Sequence, residues 1–96
     1  MAEYGVVMQS NCWYGFPQPK LEIGTQVVVR QGFPDEDSAL AYAQKRASWR
    51  MTNELFVPSG LESDFQDGDI YLTRESPSTA GIKTIRCMRI GVRRLS

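Results

Sequence analysis

One stretch of this 96-residue chain commits itself to a helix, and the rest has to be arranged around it. Asp35 is a good N-cap, because its short carboxylate can accept a hydrogen bond from a backbone N–H of the first turn. Glu36 and Asp37 follow at once, while Lys45, Arg46 and Arg50 fall in the second half, an order that suits the helix dipole at both ends. Phe33, just ahead of the cap, is placed to staple the start of the helix. The pattern runs to about Met51, where Thr52 and Asn53 turn the chain. Steps of 100° put Ala39, Ala43, Ala47, Leu40 and Met51 on one side, a narrow stripe dominated by alanine. Small side chains let a helix lie close on a sheet, so this is the expected buried face. Tyr42, Lys45 and Trp49 fall roughly opposite, with Arg46 at the border.

The sequence on both sides of that helix reads as β. Residues 3–10 alternate, with Tyr4, Val6 and Met8 on one side, and predict a strand. Residues 11–19, with Trp13, Tyr14 and Phe16 near two prolines, predict a loop. Residues 25–31 hold Val27, Val28 and Val29 and are stopped by Gly32; apolar on both faces, they predict a central strand. Beyond the helix come a short strand at 55–57 ended by Pro58, and an acidic connector at 59–69 whose Asp67-Gly68-Asp69 is a turn signal. Then follow a strand at 70–74, a hairpin-type loop at 76–81 and a long final strand at 82–95. In that last strand Ile85 and Cys87 share one side, while Met88, Ile90 and Val92 share the other. The offset predicts a bulge or bend near Cys87 and Met88. The expected fold is a single α+β domain over 1–96: a small antiparallel sheet of about five strands, ordered β-β-α-β-β-β, with one helix on one face.

Which chemistry this frame can carry is limited by what the chain lacks. It has no histidine, the side chain most used for general acid–base work. Its two cysteines, Cys12 and Cys87, have no CxxC spacing that would suggest zinc or redox work. No apolar run approaches the roughly 18 residues that span a bilayer, and the first residues lack the basic and apolar regions of a signal peptide. The expectation is an intracellular, cytoplasmic protein with reduced thiols, though the sequence leaves a Cys12–Cys87 disulfide open. A calcium loop centred on Gly68 fails, since Phe65 falls where an oxygen ligand belongs and Arg74 where the bidentate glutamate belongs. The glycines are scattered and form no phosphate-binding fingerprint. The chain therefore reads as a non-enzyme without cofactor or metal.

What remains is surface. The formal net charge is zero but unevenly spread. Glu54, Glu62, Asp64, Asp67, Asp69 and Glu75 lie in one segment against Arg74; Lys83, Arg86, Arg89, Arg93 and Arg94 follow without an acid. Either the two segments pair, or they form two opposed patches. Arg86, Arg89, Arg93 and Arg94 on the final strand would suit a nucleic-acid-binding face, although no aromatic is interleaved with them as a base-stacking platform wants. Protein binding fits better, because Trp, Tyr and Arg dominate interface energetics. Tyr42, Lys45, Arg46 and Trp49 on the helix are one candidate patch, and Trp13 and Tyr14, with Phe16, are a second.

In its size, its β-β-α-β order and the helix start from Phe33 through Pro34, Asp35, Glu36, Asp37, Ser38, Ala39, Leu40, Ala41 and Tyr42 to Ala43, the chain resembles the small phage-encoded anti-CRISPR inhibitors. The resemblance implies stoichiometric blocking of a host nucleic-acid-handling complex, a protein or ribonucleoprotein, by tight binding. Glu62, Asp64, Asp67 and Asp69 would then occlude a basic groove, or the aromatic and basic patch would wedge between subunits. The chain departs from the DNA-mimicking members in being neutral overall, where they are strongly acidic. The function expected is thus a non-enzymatic binding protein, with nucleic-acid binding through the C-terminal arginines as the alternative.

Overall fold

A computed structural model describes residues 2–14, 20–58, 69–79 and 82–96. Its elements are β1 (Tyr4–Tyr14), β2 (Lys20–Ile23), β3 (Val27–Phe33), α1 (Glu36–Asn53), β4 (Val57–Pro58), β5 (Ile70–Thr79) and β6 (Ile82–Arg94). Every strand pair is antiparallel. The first and last long strands form the centre: β1 pairs with β6 along its whole length, from Tyr4 opposite Arg94 to Tyr14 opposite Thr84. Outside β6 lie β5 and then β4. The other edge of β1 is shared, by β3 along residues 4–8 and by β2 along residues 11–14.

The α+β class and the single helix on an antiparallel sheet match the sequence reading; the strand details do not. The sheet has six strands because the return arm of the first hairpin is broken into β2 and β3. Asn11 makes the break: its side chain accepts from the Gly24 N–H at 3.0 Å, while the Gln9 side-chain amide donates to the Gly24 carbonyl at 2.9 Å. Trp13 and Tyr14 belong to β1 and not to a loop. The valine-rich strand is not central but an edge, with Val27 and Val28 both about half exposed. Gly32 does not stop it. The glycine sits at a positive φ of 90°, a backbone shape that side-chain-bearing residues resist, and carries a bulge that leads into Phe33. The strand expected at 55–57 reduces to the two residues of β4, after Leu55 at φ 60°. Pairing in the last hairpin continues to Thr79 opposite Ile82, through part of the expected loop.

α1 starts as its sequence requires. The Asp35 Oδ1 accepts from the Ser38 N–H at 2.7 Å, and those hydrogen bonds hold its carboxyl below the usual range. The helix packs on β1, β3, β5 and β6 through Ala39, Ala43 and Ala47, all buried. Beneath it lie Val6, Met8, Leu72, Met88, Ile90 and Phe56, which form one core. Tyr42 departs from the expected outward placement. It turns down the flank toward β3, its ring 5.5 Å from Phe33 and beneath the guanidinium of Arg30.

The phase change in β6 has a different cause from the bulge expected at Cys87 and Met88. The β1–β6 register is unbroken across that point. Val6 and Met8 of β1, and Met88, Ile90 and Val92 of β6, face the helix; helix-side burial stops at Met8 and Met88. Farther along, the apolar residues move to the opposite face. Because directly paired residues share a face, Leu21, Trp13, Ile85 and, at its outer end, Glu75 form one row there, and Ile23, Asn11, Cys87, Thr73 and Val57 the next. The sheet is thus amphipathic twice, in opposite senses at its two ends.

Candidate functional site

The face of the sheet turned away from α1 is the open face, and its two ends differ in character. Near the helix-covered end it is closed by charge. Asp69 comes just before Ile70, which pairs with Ile90, so its carboxylate lies beside Gly91, with Arg89 and Arg93 two residues either way on β6. The Asp69 carboxylate, 3% exposed, accepts from Arg89 Nε at 2.5 Å and from both terminal nitrogens of Arg93 at 2.9 and 2.8 Å. A Cβ on residue 91 would stand 2.6 Å from the Asp69 Cγ, so only glycine leaves room for that carboxylate. Burial pushes the Asp69 carboxyl up, but the hydrogen bonds and charges of Arg93 and Arg89 outweigh it and hold the pKa below the usual value. Two of the C-terminal arginines are therefore engaged inside the molecule by an acid of the other segment.

At the far end the open face is apolar, and no described element covers it. Ile23 is 70% exposed, Leu21 55% and Val57 56%, with Trp13, Ile85 and Cys87 half-buried among them. The helix side of the same strands is polar: Ser10, Cys12 and Tyr14 of β1 with Glu22 and Arg86 line a shallow hollow of about 280 Å³. There the Cys12 thiol and the Glu22 carboxylate, 3.5 Å from the Tyr14 hydroxyl, hold the tyrosine pKa above its ordinary value. Cys12 and Cys87 lie on opposite faces of adjacent strands, both are free thiols, and burial pushes the Cys87 thiol up.

A second feature follows the flank of α1 that looks toward β3. A groove of about 360 Å³ runs between Arg46 and Arg50 of the helix and, on the sheet side, Met8, Val27, Val29 and Met88 with Ser10, Gly24 and Thr25. Arg50 pairs with Glu54 and lies over the Trp49 ring at 5.5 Å. Trp49 itself is 53% exposed, and Lys45 is exposed beside it in sequence.

Of the residues singled out from sequence, Tyr42, Arg46 and Trp49 do share the flank of one helix, with Tyr42 partly drawn into the core. Trp13 and Tyr14 do not form a patch, because as neighbours on a strand they face opposite ways. Phe16, Glu62, Asp64 and Asp67 lie outside the described residues. Asp69 is not a free acid for a partner, being enclosed by Arg89 and Arg93. Arg86 and Arg94 are exposed, and Arg94 Nε donates to the Ser96 carbonyl. Alternation puts this second pair on the helix side and Arg89 and Arg93 on the open face, so the four arginines make no single basic face. Leu21, Ile23, Val57 and Ile85 were missed, although the offset of Ile85 and Cys87 against Met88, Ile90 and Val92 was the signal of their patch. Among the described residues no group of three His, Cys, Asp or Glu side chains is placed to hold a metal ion, and no helix is long and apolar enough to cross a membrane. No family model, curated protein or solved structure matches the chain.

Proposed function

We propose that this protein is a non-enzymatic binding protein that acts by covering a surface on a larger macromolecular complex. In its specific form the reading makes it an inhibitor of a nucleic-acid-handling complex, as its likeness in size and element order to anti-CRISPR proteins implies. The observation that supports it is the apolar end of the open face. Trp13, Leu21, Ile23, Ile85 and Val57 sit side by side where no element of the described chain covers them. Contiguous exposed apolar area on a soluble domain marks an interaction site more often than not. Asp69, the buried acid on that face among the described residues, is satisfied internally by Arg89 and Arg93. The partner it fits is a protein with a flat apolar surface.

The test uses wild type and Ile23→Asp, whose side chain points off the sheet, so that the fold survives the change. Tagged wild type captures one protein in a one-to-one complex from lysate of the organism's host or source cell, and Ile23→Asp loses it while its circular dichroism spectrum and melting temperature hold. Equal capture by both variants contradicts the reading. So does a dimer of the chain alone that Ile23→Asp breaks, or a reaction product exceeding one equivalent per chain.

A further inference from the structure

We propose that the groove between α1 and β3 is a binding site for a small monoanionic carboxylate with a hydrocarbon tail, Arg46 taking the carboxylate and the sheet side the tail. Two unmet demands meet there. The Arg46 Nε–H is buried and has no hydrogen-bond partner among the described residues. A buried cationic donor without an acceptor is costly, so native structures nearly always fill such a place. Arg46 has no ion-pair partner among the described residues either; its contact is with the Tyr42 ring, 5.9 Å away. Contact over a ring uses the flat face of a guanidinium and leaves its N–H edge for an acceptor.

The second demand comes from the rest of the lining. Met8, Val27, Val29 and Met88 make its apolar part, beside Ser10, Gly24 and Thr25, and Val27 is 52% exposed. A water molecule would satisfy the Arg46 nitrogen yet leave Val27, and the uncovered part of Val29, facing solvent. An amphipathic ligand satisfies both. Charge then selects among acids. Arg50 is already neutralised by Glu54, so the groove offers one uncompensated positive charge, from Arg46. A carboxylate matches it, whereas a dianionic phosphate ester would leave a negative charge among apolar groups. At about 360 Å³ the space is within the range of small-molecule sites. This site is on the helix side of the sheet and independent of the open-face contact.

Octanoate is the probe, titrated into the full chain by isothermal calorimetry beside acetate and octan-1-ol. The expected result is saturable one-to-one binding of octanoate, at least about tenfold tighter than either comparison compound, with Arg46→Met weakening it about tenfold or more. The Ile23→Asp chain binds octanoate as wild type does. In wild-type protein labelled with nitrogen-15, the Arg46 Nε–H resonance shifts on saturation, a readout that needs no variant to fold. The proposal is overturned by absence of saturation, by octan-1-ol binding as tightly (an apolar hollow only), by acetate binding as tightly (a surface guanidinium only), or by an unmoved Arg46 resonance.

Discussion

Asp69 illustrates how one residue decides what a whole face is. In sequence it belongs to an acidic segment and Arg89 and Arg93 to a basic one, which left open whether the two would pair. The register that sets the Asp69 carboxylate beside Gly91 makes them pair. Asp69→Asn should cost about 2–3 kcal/mol at neutral pH in a urea titration, because two partly buried guanidinium groups lose their counter-charge. Gly91→Ala should cost a similar amount by displacing the same carboxylate, so the double variant should fall well short of the sum. The pH dependence has a definite sign. The folded pKa of Asp69 lies below its unfolded value of about 3.9, so its contribution is complete above that value and is lost as pH falls through the folded pKa. The stability gap between wild type and Asp69→Asn should therefore close in acid and stay constant from about pH 5 to 8. A gap that widens in acid would contradict the pairing.

At the scale of the element, α1 was the most legible part of the chain because its signals are local: a cap, a dipole-matched charge order and an alanine stripe. Asp35→Ala should lower the denaturation midpoint through the lost Ser38 contact. Ala43→Leu should cost about 1–3 kcal/mol, since that position faces the sheet with no room for a larger side chain. Both are read from chemical denaturation midpoints. The strands were less legible for a physical reason. Period-two alternation says which residues share a face but not what covers that face. Val27, Val28 and Val29 therefore looked like a buried central strand, although β3 is an edge. The offset at Cys87 and Met88 was visible in sequence and its meaning was not. A bulge and a change of covered face leave the same mark on one strand, and only pairing with β1 tells them apart. The groove beside Arg46 was illegible because it joins residues that are distant in sequence.

The whole molecule is longer than its chain length calls for. Its radius of gyration is 14.8 Å, against about 12.5 Å for a compact domain of this size, and it extends 52 Å along its longest axis. The length comes from strands that run on past the helix as a single layer. A single layer has no second sheet or helix to hide an apolar face, so its apolar side must meet something outside the described fold. The account thus turns on Trp13, Leu21, Ile23 and Ile85 being a contact surface and not an exposed remnant of packing. Hydroxyl-radical footprinting of the purified partner complex tests this most directly, because it reads side-chain exposure residue by residue. The prediction is that oxidation of Trp13, Leu21, Ile23 and Ile85 falls several-fold on complex formation while Trp49 stays as reactive as in the free chain. Protection of Trp49 with unchanged reactivity at those four positions would contradict it.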